Sequence, residues 1–150
     1  MTDLVLTLRR VPAEPRTWLW TDEEKGSIAI AMHGWRDARL TVRTVRGSKM
    51  RTEARLFDEF AAALQFPAYF GENWSALDDC LTDLDWLPPE AGYVLVVTEP
   101  LQVLEASPES LPALVRCMTS VWAEWAAPVT LGESWDRQGV AFHTVLATTR

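Results

Sequence analysis

Tyr93-Val94-Leu95-Val96-Val97 is an unbroken apolar run with turn formers on both sides, Pro88, Pro89 and Gly92 before it and Pro100 after it. A strand with one wet face alternates; a continuous run marks a strand covered on both faces, as in a parallel sheet. Parallel strands need crossover helices, and working outward finds them. Upstream, Leu56, Phe57, Phe60, Ala61 and Leu64 recur at three- and four-residue steps behind the capping residue Thr52, with Glu53 in the first turn, which predicts a helix over 52–65. Phe66 and Pro67 close it and Gly71 turns the chain. Asn73 then caps a second helix over 73–84, whose Trp74, Leu77, Leu81 and Leu84 share one face. Downstream, Ser107, Pro108 and Glu109 open a third helix, or Pro112 shifts its first turn to Ser110; Leu114, Val115, Met118, Val121, Trp122 and Trp125 form its apolar side, and Pro128 stops it. Val140 to Ala147 supplies the last strand, and Leu40 to Val45, ending at Gly47, the strand before the first helix.

This alternation gives an α/β domain of two or three layers, preceded by further β structure. In that leading part Leu4, Leu6 and Leu8 alternate with Val5 and Thr7, while Trp18 to Trp20 and Ile28 to Met32 flank the turn-like Thr21 to Gly26 as a hairpin would. Pro12 and Pro15 interrupt it, and Gly34 breaks the chain before the next strand. Residues 1–37 are therefore expected to form a β-rich N-terminal extension, and 38–150 the α/β domain.

A length of 150 residues suits one domain, and 48% hydrophobic with 23% charged residues describes a globular chain rather than a disordered one. Two cysteines, Cys80 and Cys117, make no disulfide framework, and Met1 to Arg10 is charged and alternating rather than an apolar leader, so a reducing cytoplasm is the expected compartment. No apolar run approaches the ~20 residues of a membrane span, so no membrane partner is expected. The net charge of −7 argues against nucleic acid as a partner. Its distribution is more informative. Between Arg55 and Arg116 the chain has no Lys or Arg, yet it carries Asp58, Glu59, Glu72, Asp78, Asp79, Asp83, Asp85, Glu90, Glu99, Glu105 and Glu109. A surface selected only for solubility intersperses both signs, so relief from outside, by a basic protein patch or a metal ion, competes with plain solvated acidity as the explanation.

The second helix concentrates this charge. Away from its apolar stripe lie Ser75, Asp78, Asp79, Thr82 and Asp83, with Asp85 just beyond. Asp79 and Asp83, four residues apart, repel by roughly 0.2–0.5 kcal/mol in an isolated helix, and the helix dipole disfavours acids in the last turn. The helix is thus either a solvated acidic face or a docking surface for a cationic pocket, which would explain why the repulsion is tolerated. Tyr69, Phe70 and Trp74 precede it and Trp86 follows; such rings beside charges suit an interface, although the helical spacing of Trp74, Trp122 and Trp125 favours the core. Catalysis has little support. Asp78 and Asp79 are neighbours on a helix and point about 100° apart, converging poorly on one atom. His33 and His143 fall in strand-like segments without zinc spacing, no nucleophile elbow or glycine-rich phosphate loop occurs, and the acidic surroundings of Cys80 oppose a thiolate. No cofactor or metal is expected.

The stretch Phe66-Pro67-Ala68-Tyr69-Phe70-Gly71-Glu72-Asn73-Trp74-Ser75-Ala76-Leu77-Asp78-Asp79-Cys80-Leu81 resembles the barstar family of bacterial ribonuclease inhibitors. The order of elements over residues 38 to 148 fits as well. The resemblance implies a three-stranded parallel sheet packed against helices, here with additional N-terminal β-strands. It implies an intracellular inhibitor, an antitoxin or immunity protein rather than an enzyme, that plugs the active site of a basic ribonuclease or ribonuclease-like toxin. In it Asp79 matches the aspartate that occupies the place of the substrate's phosphate, Tyr69 the tyrosine packed on the enzyme rim, and Asn73 and Thr82 polar positions of the binding helix. With Trp74, Ser75, Asp78 and Asp83 these make up the expected partner-binding set. Two departures stand out: a family aspartate falls on Ser75, and a helix tryptophan falls on Asp78. Together with the N-terminal strands, Ser75 motivates an alternative, an interaction module of the same fold that binds another basic protein or itself.

Overall fold

The computed structural model describes residues 17–22, 27–134 and 136–149. Among the described residues four strands lie in one parallel sheet in the order β1-β4-β3-β2: β1 (Thr17–Asp22), β2 (Thr41–Arg46), β3 (Tyr93–Thr98) and β4 (Phe142–Thr149). The last three make the expected three-stranded parallel sheet. In their register Leu95 lies between Arg43 and Thr144, and Val96 between Thr44 and Val145. The apolar run is the reason for the architecture. Leu95 and Val97 join Val45 and Phe142 under three helices, α2 (Glu53–Leu64), α3 (Trp74–Asp83) and α4 (Leu111–Ala126). Val94 and Val96 join Val42, Val145 and Ala147 on the opposite face, where α1 (Ser27–Asp37) covers them with Ala31 and the fully buried Trp35. The sheet is thus the middle of three layers, and β3, buried from Tyr93 through Val97, has no wet face to alternate.

The N-terminal hairpin is corrected. Trp18 to Trp20 falls in β1, but that strand runs parallel to β4, Trp18 opposite Val145 and Trp20 opposite Ala147. Ile28 to Met32 belongs to α1, with Gly34 inside the helix instead of breaking before it. The alternation Ile28, Ile30, Met32 mimics a strand, yet it is Ala31 and Trp35, four residues apart, that are buried, with Ile28, Met32 and Ala38 packed beside them; Ile30 points out, 71% exposed. His33 is accordingly on a helix, exposed, with Asp37 at 3.5 Å one turn on. His143 is in β4 as expected, and is fully buried. The strand expected at Leu4 to Leu8 lies outside the described residues.

The ends of α2 and α3 follow the cap residues. Thr52 accepts from the Arg55 N–H at 3.3 Å, and Asn73 accepts from the Ala76 N–H at 2.8 Å. At α4 a 3-10 turn, Pro108–Ser110, leads into Leu111 with Pro112 in the first turn, where the missing N–H of proline is no loss. One ion pair ties sheet to helix: the Arg46 guanidinium donates to both Glu59 oxygens at 2.8 and 2.9 Å, and the Arg46 backbone N–H adds a third bond at 2.8 Å. These donors hold the buried Glu59 carboxyl below its usual range, against the opposing effect of burial. Gly47 follows directly, so close to the end of β3 that a Cβ there would meet the Thr98 carbonyl oxygen at 2.6 Å. Among the described residues no helix is long and apolar enough to cross a membrane.

Candidate functional site

The acidic helix is presented by an aromatic footing. After α2, Gln65 adopts a left-handed conformation and returns its N–H to the Ala61 carbonyl, which swings Phe66 inward. Phe66 packs edge-on against Phe70 at 4.9 Å, and Phe57 packs edge-on against both Phe70 and Trp74, at 6.2 and 5.0 Å. Asn73 then closes the turn with both ends of its amide, accepting from Ala76 and donating to the Gly71 carbonyl at 3.1 Å. Below α3, Leu77, Cys80, Leu81 and Leu84 are buried.

The expected site residues divide into three groups. Ser75, Asp79 and Asp83 follow one another at four-residue steps and are all exposed. Among the described residues neither aspartate has an ion-pair partner. Tyr69 stands at the edge of this face, 72% exposed. Desolvation, then Asp83, Cys80 and Asp85, push its phenol up. The second group is bound into the fold. Asn73 is the cap, Trp74 is half-buried against Phe57, and the Thr82 hydroxyl donates back to the Asp78 carbonyl at 2.8 Å. Asp78 forms the third. It turns away from Asp79 into a groove of about 330 Å³ between α3 and α4, lined also by Trp74, Ser75, Ala113, Arg116, Cys117 and Ser120. Its Oδ1 is shielded from solvent with no hydrogen-bond donor among the described residues. The wall supplied by α4 was missed in the sequence; its one signal was Arg116, the base that ends the base-free stretch.

The two thiols behave as packing groups. Burial, helped by Asp79 and Asp83, pushes the Cys80 thiol up, and burial together with Asp78 pushes the Cys117 thiol up to about 12. Trp86 is half-buried and donates its indole N–H to the Leu64 carbonyl at 2.9 Å. The capped helix α3 thus holds two carboxylates in water, flanked by an exposed phenol and a mixed-charge groove.

A family model described as Barstar (barnase inhibitor) matches residues 40–147. No curated protein sequence gives a significant match. Among solved structures, Cdc6p from Pyrobaculum aerophilum aligns over 98% of this chain and 37% of its own length, with 13% identity and a TM-score of 0.57. That likeness is one of fold. The Drosophila ORC bound to AT-rich DNA and Cdc6 aligns over 99% of this chain and 43% of its own, with 17% identity and a TM-score of 0.47. The chain thus spans roughly two fifths of the length of either structure.

Proposed function

Because the chain belongs to the barstar family, we propose that it inhibits a basic ribonuclease by docking α3 into the enzyme's active site, with the Asp79 carboxylate standing where an RNA phosphate would. The observation that carries this reading is the state of Asp79. It is exposed on a helix fixed at both ends and has no internal cation among the described residues. A ribonuclease gathers cationic donors around the scissile phosphate, and a carboxylate held in place accepts charge-assisted hydrogen bonds from the same donors. Preorganisation matters as much as charge, since a helix already ordered loses little freedom on docking. Asp83 and Asp85 extend the negative field and steer a basic enzyme towards the face. Tyr69 offers a ring for the rim of the cleft, where an aromatic buries much area with few rotatable bonds.

The test is direct. The purified chain is titrated against barnase while RNA cleavage is followed. Stoichiometric inhibition that weakens with added salt, and that a short oligonucleotide relieves by competition, is the expected result. Absence of inhibition with the chain at micromolar concentration overturns the reading. Association without loss of cleavage would favour the alternative of a module that binds basic proteins without inhibiting them.

A further inference from the structure

The groove between α3 and α4 presents a puzzle to any uniformly cationic partner. Ser75 lies on the exposed face with Asp79 and also lines the groove, so a protein seated on Asp79 overlies the groove as well. Across it, on α4, stands Arg116, exposed and without an ion-pair partner among the described residues. Asp78 shares the groove yet does not pair with it; the Asp78 Oδ1 is turned inward and shielded, on the side where its charge raises the Cys117 thiol. An unpaired guanidinium inside the footprint of a basic protein would repel that protein, unless the partner carries an acid there.

We propose that Arg116 is a specificity residue that receives a carboxylate from the rim of the partner's cleft, beside the donors that take Asp79. This inference rests on the inhibitor reading. The fork of a guanidinium matches a carboxylate in two parallel bonds, and Ser75 and Ser120 line the groove beside it. The partner's surface is then bipolar: a cationic cleft for Asp79, with an acid beside it for Arg116. A basic protein lacking that acid still binds but more weakly, which turns a generic electrostatic attraction into a graded, selective one.

The experiment is a double-mutant cycle with barnase as the probe. Single glutamates are placed at successive positions around its cleft, and each variant is measured against the unmodified chain and against Arg116→Ala. At least one position should bind the unmodified chain tenfold or more tighter than it binds Arg116→Ala, and Arg116→Glu should reverse that preference. If every glutamate weakens both chains equally, or if no glutamate position distinguishes the unmodified chain from Arg116→Ala, the assignment is overturned. Asp79→Ala in the same assay separates the two ideas: its loss of binding with an indifferent Arg116 sinks this inference alone, whereas an indifferent Asp79 sinks the inhibitor reading and this with it.

Discussion

The indole N–H of Trp125 on α4 donates to the backbone carbonyl of Leu81 in the last turn of α3, 2.8 Å away. The last carbonyls of a helix have no partner within it, and a buried one left bare costs about 1–3 kcal/mol. Leu84 closes α3 in a left-handed conformation, with its N–H taken by Cys80, so the indole supplies what the helix itself does not. Trp86 does the same for Leu64 at the end of α2. The acidic helix is thereby fixed at its N-terminus by Asn73 and at its C-terminus by a tryptophan of the neighbouring helix. The like-charge repulsion between Asp79 and Asp83 is offset by this anchoring rather than by nearby bases.

Replacing that anchor separates rigidity from charge. Trp125→Phe keeps most of the buried ring but leaves the Leu81 carbonyl unpaired, and it should lower unfolding stability by about 1–3 kcal/mol. Inhibition of barnase by the folded fraction should weaken too, although no contact carboxylate has changed. Urea unfolding and inhibition measured on the same samples check both effects.

Acid should attack the Arg46–Glu59 bridge. The Glu59 carboxyl is held below its usual value of 4.5, chiefly by hydrogen bonds from Arg46. A carboxyl whose folded value is depressed contributes stability that is complete above its unfolded value and is lost as pH falls through the folded one. Stability should therefore decline below about pH 4.5, and Glu59→Gln should flatten that part of the decline while lowering stability at pH 7 by roughly 1–3 kcal/mol. Denaturant unfolding at a series of pH values reads the slope; an unchanged slope in the variant would mean that other carboxyls carry it.

Much of this was legible in the chain. The run Tyr93 to Val97 and the caps Thr52 and Asn73 each answer to one local rule, and each lies in the element it indicated. The segment 27–37 does not, because Ile28, Ile30 and Met32 fit a period of two while Ile28, Met32 and Trp35 fit a period of 3.6, and burial decides between them. In the site, exposure of Asp79 and Asp83 could be read from the helical face alone. The splitting of Asp78 from Asp79 could not: it depends on α4 packing alongside α3, a contact between residues far apart in sequence.

Steering should be separable from contact. Asp83 lies four residues beyond Asp79 and is likewise exposed and unpaired among the described residues. Asp83→Asn should slow association with barnase several-fold at low ionic strength, with little change in dissociation, and the difference should fade near 1 M salt, where the screening length is about 3 Å. Stopped-flow rates at two salt concentrations suffice; a change confined to dissociation would make Asp83 a contact residue instead.

The central claim is that the charge at position 79 occupies a phosphate site, and Asp79→Asn tests it by removing the charge while keeping the shape. An exposed residue on a capped helix should leave unfolding stability within about 0.5 kcal/mol. Losing one partner of a desolvated charge pair costs ~2–5 kcal/mol or more in binding, and the barnase–barstar pair is among the systems where such close charge pairs are known to be strongly coupled. The account predicts that the inhibition constant against barnase rises by roughly 30-fold or more in this variant, with its melting curve unchanged. An inhibition constant equal to that of the unmodified chain would contradict it.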